Sequence, residues 1–176
     1  MPVDNGAADH LQVGVTLPRV TLPATTGDDI CLSDVPGCIL LFIYPWTGRP
    51  GVPNPPNWDD IPGAHGSTAE IAGFRDAYDQ CEEFELGIYG LSRQSLEYQR
   101  EMVERLKVPF PILSDADGKF ASAAKLPSFT TGNQLYYKRL SLILNRGLVE
   151  TVFYPIPRPE KHARDVLRWF RREMRR

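Results

Sequence analysis

Long apolar runs are missing from this chain of 176 residues. The longest, Cys38-Ile39-Leu40-Leu41-Phe42-Ile43, falls far short of the ~20 residues that a membrane-spanning helix needs. The opening segment Met1-Pro2-Val3-Asp4-Asn5 has neither the basic nor the apolar region of a secretory signal. Strong charge of one sign is also missing. A formal net charge of −2 argues against nucleic acid as a partner, because domains that bind it are usually strongly basic. Cysteine is scarce, and its odd count of 3 makes no disulfide framework; a reducing cytoplasm is the expected setting. The 3 histidines, His10, His65 and His162, are widely scattered and give a metal site no support. The hydrolase elbow G-x-S-x-G is absent around Ser67, since the residue two further on is Ala69. His65 stands only two residues before Ser67 on a tight turn, a poor position for a base.

What is present fits one domain spanning residues 1–176, with residues 1–10 as a loose leader. Hydrophobic residues make up 42% and charged residues 24%, and a chain this long buries a core without disulfides or metal. The unusual feature is proline: 16 in all, with Pro45, Pro50, Pro53, Pro55, Pro56 and Pro62 crowded into one stretch.

Val13 to Leu22 alternates apolar residues around Pro18, as short strands or an extended arm would. Ile30-Cys31-Leu32 reads as a short strand, and Cys38 to Tyr44 as a strand buried on both faces. Pro45 stops it. Residues 45–66 lack periodicity and read as a long, ordered active-site loop stiffened by proline. Ser67 to Phe84 reads as one helix with Ile71, Phe74, Tyr78 and Cys81 on its inward stripe. Ser67 fits its N-cap, and Glu70 three residues later completes a capping box. Leu86–Leu91 is a strand. Ser95–Leu106 is a helix with Leu96, Val103 and Leu106 facing in, and Gly118–Lys125 is a short helix. Leu135–Leu144 and Leu148–Tyr154 form strands joined at Asn145-Arg146-Gly147. Pro159 opens a last helix with Ala163, Val166, Leu167 and Phe170 inward. Strands separated by helices pair in parallel, and the closing hairpin adds antiparallel strands. The expected fold is α/β, thioredoxin-like, with a mixed central sheet flanked by helices on both faces.

Ser67 follows the turn Gly63-Ala64-His65-Gly66 at a helix start, a setting that activates a cysteine thiolate, yet the residue is a hydroxyl. Tyr44-Pro45, then Gly66-Ser67-Thr68-Ala69-Glu70 and Phe74-Arg75-Asp76, resemble the peroxiredoxins. The nearest branch is the bacterioferritin-comigratory (Q-type) one. Val108-Pro109-Phe110-Pro111-Ile112-Leu113-Ser114-Asp115 and Lys138-Arg139-Leu140-Ser141-Leu142-Ile143-Leu144 add to the likeness, which covers roughly residues 12–172.

The resemblance implies a thiol-dependent peroxidase acting on hydrogen peroxide or small organic hydroperoxides. A thioredoxin or glutaredoxin-type reductant would reset it, without cofactor or metal, in a monomer or homodimer. It puts Ser67 at the position of the attacking cysteine and Arg139 at that of the activating arginine. Tyr44, Pro45, Gly66 and Thr68 become substrate-binding positions. The family's threonine three residues before the nucleophile is Ala64 here, and Thr47 substitutes if the loop folds back. The resolving cysteine position is Ala72. Ser67 and Ala72 suit an engineered trap of the reduced form as well as a natural, degenerate homologue. A serine hydroxyl is hardly ionised at neutral pH, so this chain is expected to be inactive as a peroxidase. The alternative is a non-catalytic binding or scaffold protein.

Among the remaining sulfurs, Cys81 lies fourteen residues along the same helix from Ser67, ~21 Å away, and reads as core. Cys38 also reads as core. Cys31, before a turn, is the remaining candidate for a resolving thiol. Trp46 and Trp58 either shape a substrate entrance or anchor the proline loop.

Overall fold

The computed structural model describes residues 1–175. The central strand is β3 (Cys38–Ile43). Its side chains alternate: Ile39, Leu41 and Ile43 join one buried cluster, and Leu40 and Phe42 join another on the opposite face. That two-sided burial explains why the strand is apolar without a break. Beside it lie β4 (Leu86–Ser92) and β5 (Ile112–Ser114), both parallel to their neighbours. On the other side run β8 (Leu140–Asn145) and β9 (Leu148–Phe153), both antiparallel. The five-stranded order is β5-β4-β3-β8-β9. Arg146 (φ 50°) and Gly147 (φ 80°) make the two-residue turn between β8 and β9. Two small hairpins stand outside this sheet: β1 (Thr21–Pro23) with β2 (Asp29–Cys31), and β6 (Ser128–Thr131) with β7 (Gln134–Tyr137).

Helix α1 (Ser67–Asp76), α2 (Tyr78–Glu83), α3 (Leu96–Leu106) and α5 (His162–Glu173) supply side chains to the cluster that contains Phe42. The short α4 (Lys119–Ala124) and the β1–β2 hairpin cover the cluster that contains Leu41. The mixed sheet with helices on both faces is therefore as the sequence predicts. No helix among the described residues is long and apolar enough to cross a membrane.

Five local expectations are corrected. The helix from residue 67 to 84 is two helices, because the chain leaves helical geometry at Ala77 (φ −95°, ψ 3°) and α2 turns to pack on β4. The buried stripe survives the break as Ile71, Phe74, Ala77 and Cys81. Helix α3 buries Gln99 and Met102, while Leu96, Val103 and Leu106 are only half-buried. Gln99 is accommodated because its amide nitrogen donates to Ser92 Oγ and Leu113 O, both at 2.9 Å. The span Leu135–Leu144 is two strands that change partner at Lys138-Arg139: Lys138 N still bonds Pro127 O at 2.8 Å in the register of the β6–β7 pair, and pairing with β3 begins at Leu140. Pro159 opens a single 3-10 turn, Pro159–Lys161, ahead of α5. Finally, residues 1–10 have no regular structure but are not loose: Ala8 is buried, His10 Nε2 lies 2.9 Å from Ala124 O, and Pro2 abuts Gly63.

Candidate active site

Three elements converge on one buried polar group. The turn 63–66 and α1 bring Ser67 and Glu70, and the interruption between β7 and β8 brings Arg139. Both carboxylate and guanidinium are almost fully enclosed, at 0% and 2% side-chain exposure. Arg139 Nη1 donates to Glu70 Oε2. Arg139 Nη2 donates to Ser67 Oγ at 2.9 Å and to the carbonyl of His65 at 3.1 Å. The carbonyls of Gly63 and Ala64 stand slightly further off, at 3.4 and 3.5 Å. The guanidinium thus organises the whole turn ahead of α1, a task its planar fork of donors suits.

Gly66 permits this arrangement. Its φ is +105°, which L side chains rarely adopt, and an added Cβ would stand 2.3 Å from Pro159 Cγ. The N-cap of α1 is therefore Gly66, with no side-chain cap, and the predicted capping box does not form. Ser67 is the first helical residue, and its hydroxyl accepts from Arg139. Glu70 points inward to the same arginine instead of back to the helix start. The first helical hydrogen bond, Glu70 N to Gly66 O at 2.9 Å, leaves the N–H groups of Ser67, Thr68 and Ala69 without helical partners. They add positive potential at the Ser67 hydroxyl.

Burial dominates the electrostatics. Full desolvation pushes the Glu70 carboxyl up to about 7, with Arg139 pulling in the opposite direction. His162, whose Nε2 lies 2.8 Å from Ser141 Oγ, is pushed down to about 3, first by burial and then by the charge of Arg139. It is neutral and structural at neutral pH. Tyr44 is wholly buried, its ring near that of Phe42, and desolvation raises its phenol.

The other predicted site residues separate. Thr47 does not fold back to Ser67. Its Oγ1 donates to Gln94 Oε1 at 3.0 Å, while Gln94 Nε2 donates to Thr47 O at 3.2 Å. Pro45 lines a pocket together with Trp46 and Gln94. Ala72 lies half-buried one turn along α1 and Thr68 is exposed. Cys31 sits on β2, in the layer across the sheet from α1, with Sγ 3.1 Å from Ser33 Oγ. Cys38 and Cys81 are pushed up to about 11, chiefly by burial, as core thiols are. His65 is exposed and lies 2.7 Å from Asp59. The Arg139 partner Glu70 was missed as a site residue, since S-x-x-E spacing also signals a capping box. Arg139 also lines a cavity of about 350 Å³ between Pro2, Ile61, Gly63, Phe129 and Ile156. Among the described residues no group of three or more His, Cys, Asp or Glu side chains could hold a metal ion.

A buried serine on a helix N-terminus, held by an arginine entering a mixed sheet, defines a thioredoxin-like scaffold of the peroxiredoxin type. Residues 62–151 match the AhpC/TSA family, and the chain belongs to it. It is 31% identical over 108 residues to a peroxiredoxin bcp of Coxiella burnetii, which covers 61% of this chain and 62% of that one. It is 27% identical over 156 residues to the chloroplastic peroxiredoxin Q of Sedum lineare, covering 88% of this chain and 75% of the relative. Among solved structures, the peroxidoxin BcpB of Mycobacterium tuberculosis superposes with a TM-score of 0.73 at 25% identity, over 92% of this chain and 97% of that one. The bacterioferritin comigratory protein of Xanthomonas campestris, at 19% identity, shares the fold, with a TM-score of 0.72 over 92% and 99% of the two chains.

Proposed function

We propose that position 67 is the peroxidatic position of a thiol peroxidase scaffold and that this chain, carrying Ser67, does not reduce peroxides. The observation that supports it is the 2.9 Å contact from Arg139 Nη2 to Ser67 Oγ at a helix start. With sulfur at that point, the guanidinium and the free N–H groups would hold a thiolate. The thiolate would attack one oxygen of hydrogen peroxide or an alkyl hydroperoxide. An S–O bond forms, the O–O bond breaks, and water or an alcohol leaves after taking a proton. The resulting sulfenic acid would need two electrons from a thiol reductant of thioredoxin or glutaredoxin type. The Ser67 hydroxyl retains its proton at neutral pH and has no stable oxidation product of that kind. Ala72 offers no resolving thiol either. The relatives bear on the substrate class by name: the Xanthomonas protein is described by its alkyl peroxide reduction. Cytoplasm is the compartment that suits the free cysteines Cys31, Cys38 and Cys81.

The test is peroxide consumption with dithiothreitol, by this protein and by Ser67→Cys, with mass spectrometry of position 67 after peroxide treatment. We expect no consumption above the dithiothreitol background with serine, and turnover plus sulfur oxidation at Cys in the variant. A serine protein as fast as the variant would overturn the reading. A folded variant whose thiol stays unoxidised would favour a natural binding or scaffold role.

A further inference from the structure

A second pocket, separate from Arg139 and independent of what stands at position 67, lies outside the carboxyl ends of the three parallel strands. Pro45 and Trp46 follow β3, Arg93 and Gln94 follow β4, and Ala116 follows β5; Tyr98 of α3 and Tyr136 of β7 close it, around about 280 Å³. The carboxyl ends of parallel strands are where open α/β sheets place their ligands. We propose that this pocket binds a small planar aromatic carboxylate, its ring against the wall formed by Trp46, Tyr98 and Tyr136 and its carboxylate on Arg93.

The walls are aromatic and fixed. Trp46 and Tyr98 have ring centroids 6.2 Å apart, and Trp46 packs edge-on against Trp58 at 5.7 Å. Trp58 in turn holds Tyr136 at 5.1 Å. The loop that carries Trp46 is pinned at the next residue, because Thr47 exchanges three hydrogen bonds with the Gln94 side chain and its carbonyl accepts from Tyr98 Oη at 3.0 Å. The pocket is therefore formed before any ligand arrives, which lowers the entropic cost of binding.

The guanidinium of Arg93 lies beside Gly118 near the Tyr137 hydroxyl, whose own partner is the buried Asp115 carboxylate, but Arg93 keeps its donors. Arg93 is half-buried at the pocket yet makes no hydrogen bond or ion pair with any described residue. The neighbouring charges are engaged elsewhere: Glu101 is paired with Arg105 and faces Arg49, and Asp117 lies 3.5 Å from Lys119. A planar guanidinium with free donors matches a carboxylate in two parallel hydrogen bonds. The volume suits one or two rings.

The experiment titrates 15N-labelled full-length protein with benzoate, benzamide and acetate, following the Trp46 indole and Arg93 Nε–H signals. Benzoate is expected to saturate with a Kd on the order of 1 mM or tighter. Benzamide keeps the ring without the charge, and acetate keeps the charge without the ring; each should bind at least about tenfold more weakly. Arg93→Gln should weaken benzoate by a similar factor in a protein that still unfolds in one cooperative thermal transition. No saturation by benzoate, equal binding of benzamide, an unaffected Arg93→Gln, or shifts confined to the Arg139 cavity would each overturn the proposal.

Discussion

Arg139 Nη2 and Ser67 Oγ stand 2.9 Å apart although 72 residues separate them in the chain. The contact fixes what any group at position 67 would experience. A thiol introduced by Ser67→Cys is expected to ionise at about 7 or below, against an ordinary ~8.5. The pH dependence of iodoacetamide alkylation measures this. Adding Arg139→Gln should return the apparent value to the ordinary range or above it, since burial then acts unopposed.

Removing one member of the buried ion pair should cost more than removing both. Glu70→Ala leaves the buried Arg139 guanidinium without its hydrogen-bond acceptor, whichever protonation state the carboxyl holds, and we expect a loss of about 3–5 kcal/mol. The double replacement Glu70→Leu with Arg139→Met should be less destabilised than the sum of its single changes. Urea unfolding of the four proteins gives the coupling.

Stability should fall as pH rises through the range set by Glu70. Its folded value is about 7, above the 4.5 of the free carboxyl, so the folded protein holds the proton more tightly than the unfolded chain does. The stability linked to that proton is complete below 4.5 and is lost as pH climbs to about 7. Glu70→Gln should remove this decline in denaturation midpoints measured between pH 5 and 8.

His162 acts in the opposite sense. Burial takes it down to about 3 from 6.5, so the unfolded chain binds the proton first. Stability from the neutral ring is complete above 6.5 and is lost as pH falls toward 3. Replacing it with Gln, which can still meet Ser141, should flatten the acid limb of the same pH series.

Gly66→Ala should destabilise for two separable reasons. The backbone at φ +105° costs about 1–2 kcal/mol for an alanine, and the new Cβ meets Pro159. Combining it with Pro159→Gly should relieve the collision and leave the backbone cost, as read from urea midpoints against Pro159→Gly alone.

The central sheet was legible because β3 is apolar on both faces and its neighbours are separated by helices and by a hairpin turn. Arg139 was legible through the run Lys138-Arg139-Leu140-Ser141, which resembles a known strand. Glu70 was not, because a residue three beyond a helix-opening serine serves equally well as a cap or as an inward ion-pair partner. Only the folded position of Arg139 decides between them. The β6–β7 hairpin was missed although Gly132-Asn133 is a two-residue turn with positive φ at both positions. Its strands are four residues each and lie outside the main sheet, too short to stand out as a pattern. Thr47 was misplaced because loop residues 45–66 carry no periodicity from which a direction could be read.

The meeting of Gly66 with Pro159 joins the first half of the chain to its end. The turn that supports Ser67 rests on a ring synthesised more than ninety residues later. On the ribosome, the nascent polypeptide can pair its early strands but cannot finish this corner until the final helix has emerged from the exit tunnel. A truncated translation product ending before Pro159 would lack the wall that holds the corner shut, however intact its sheet.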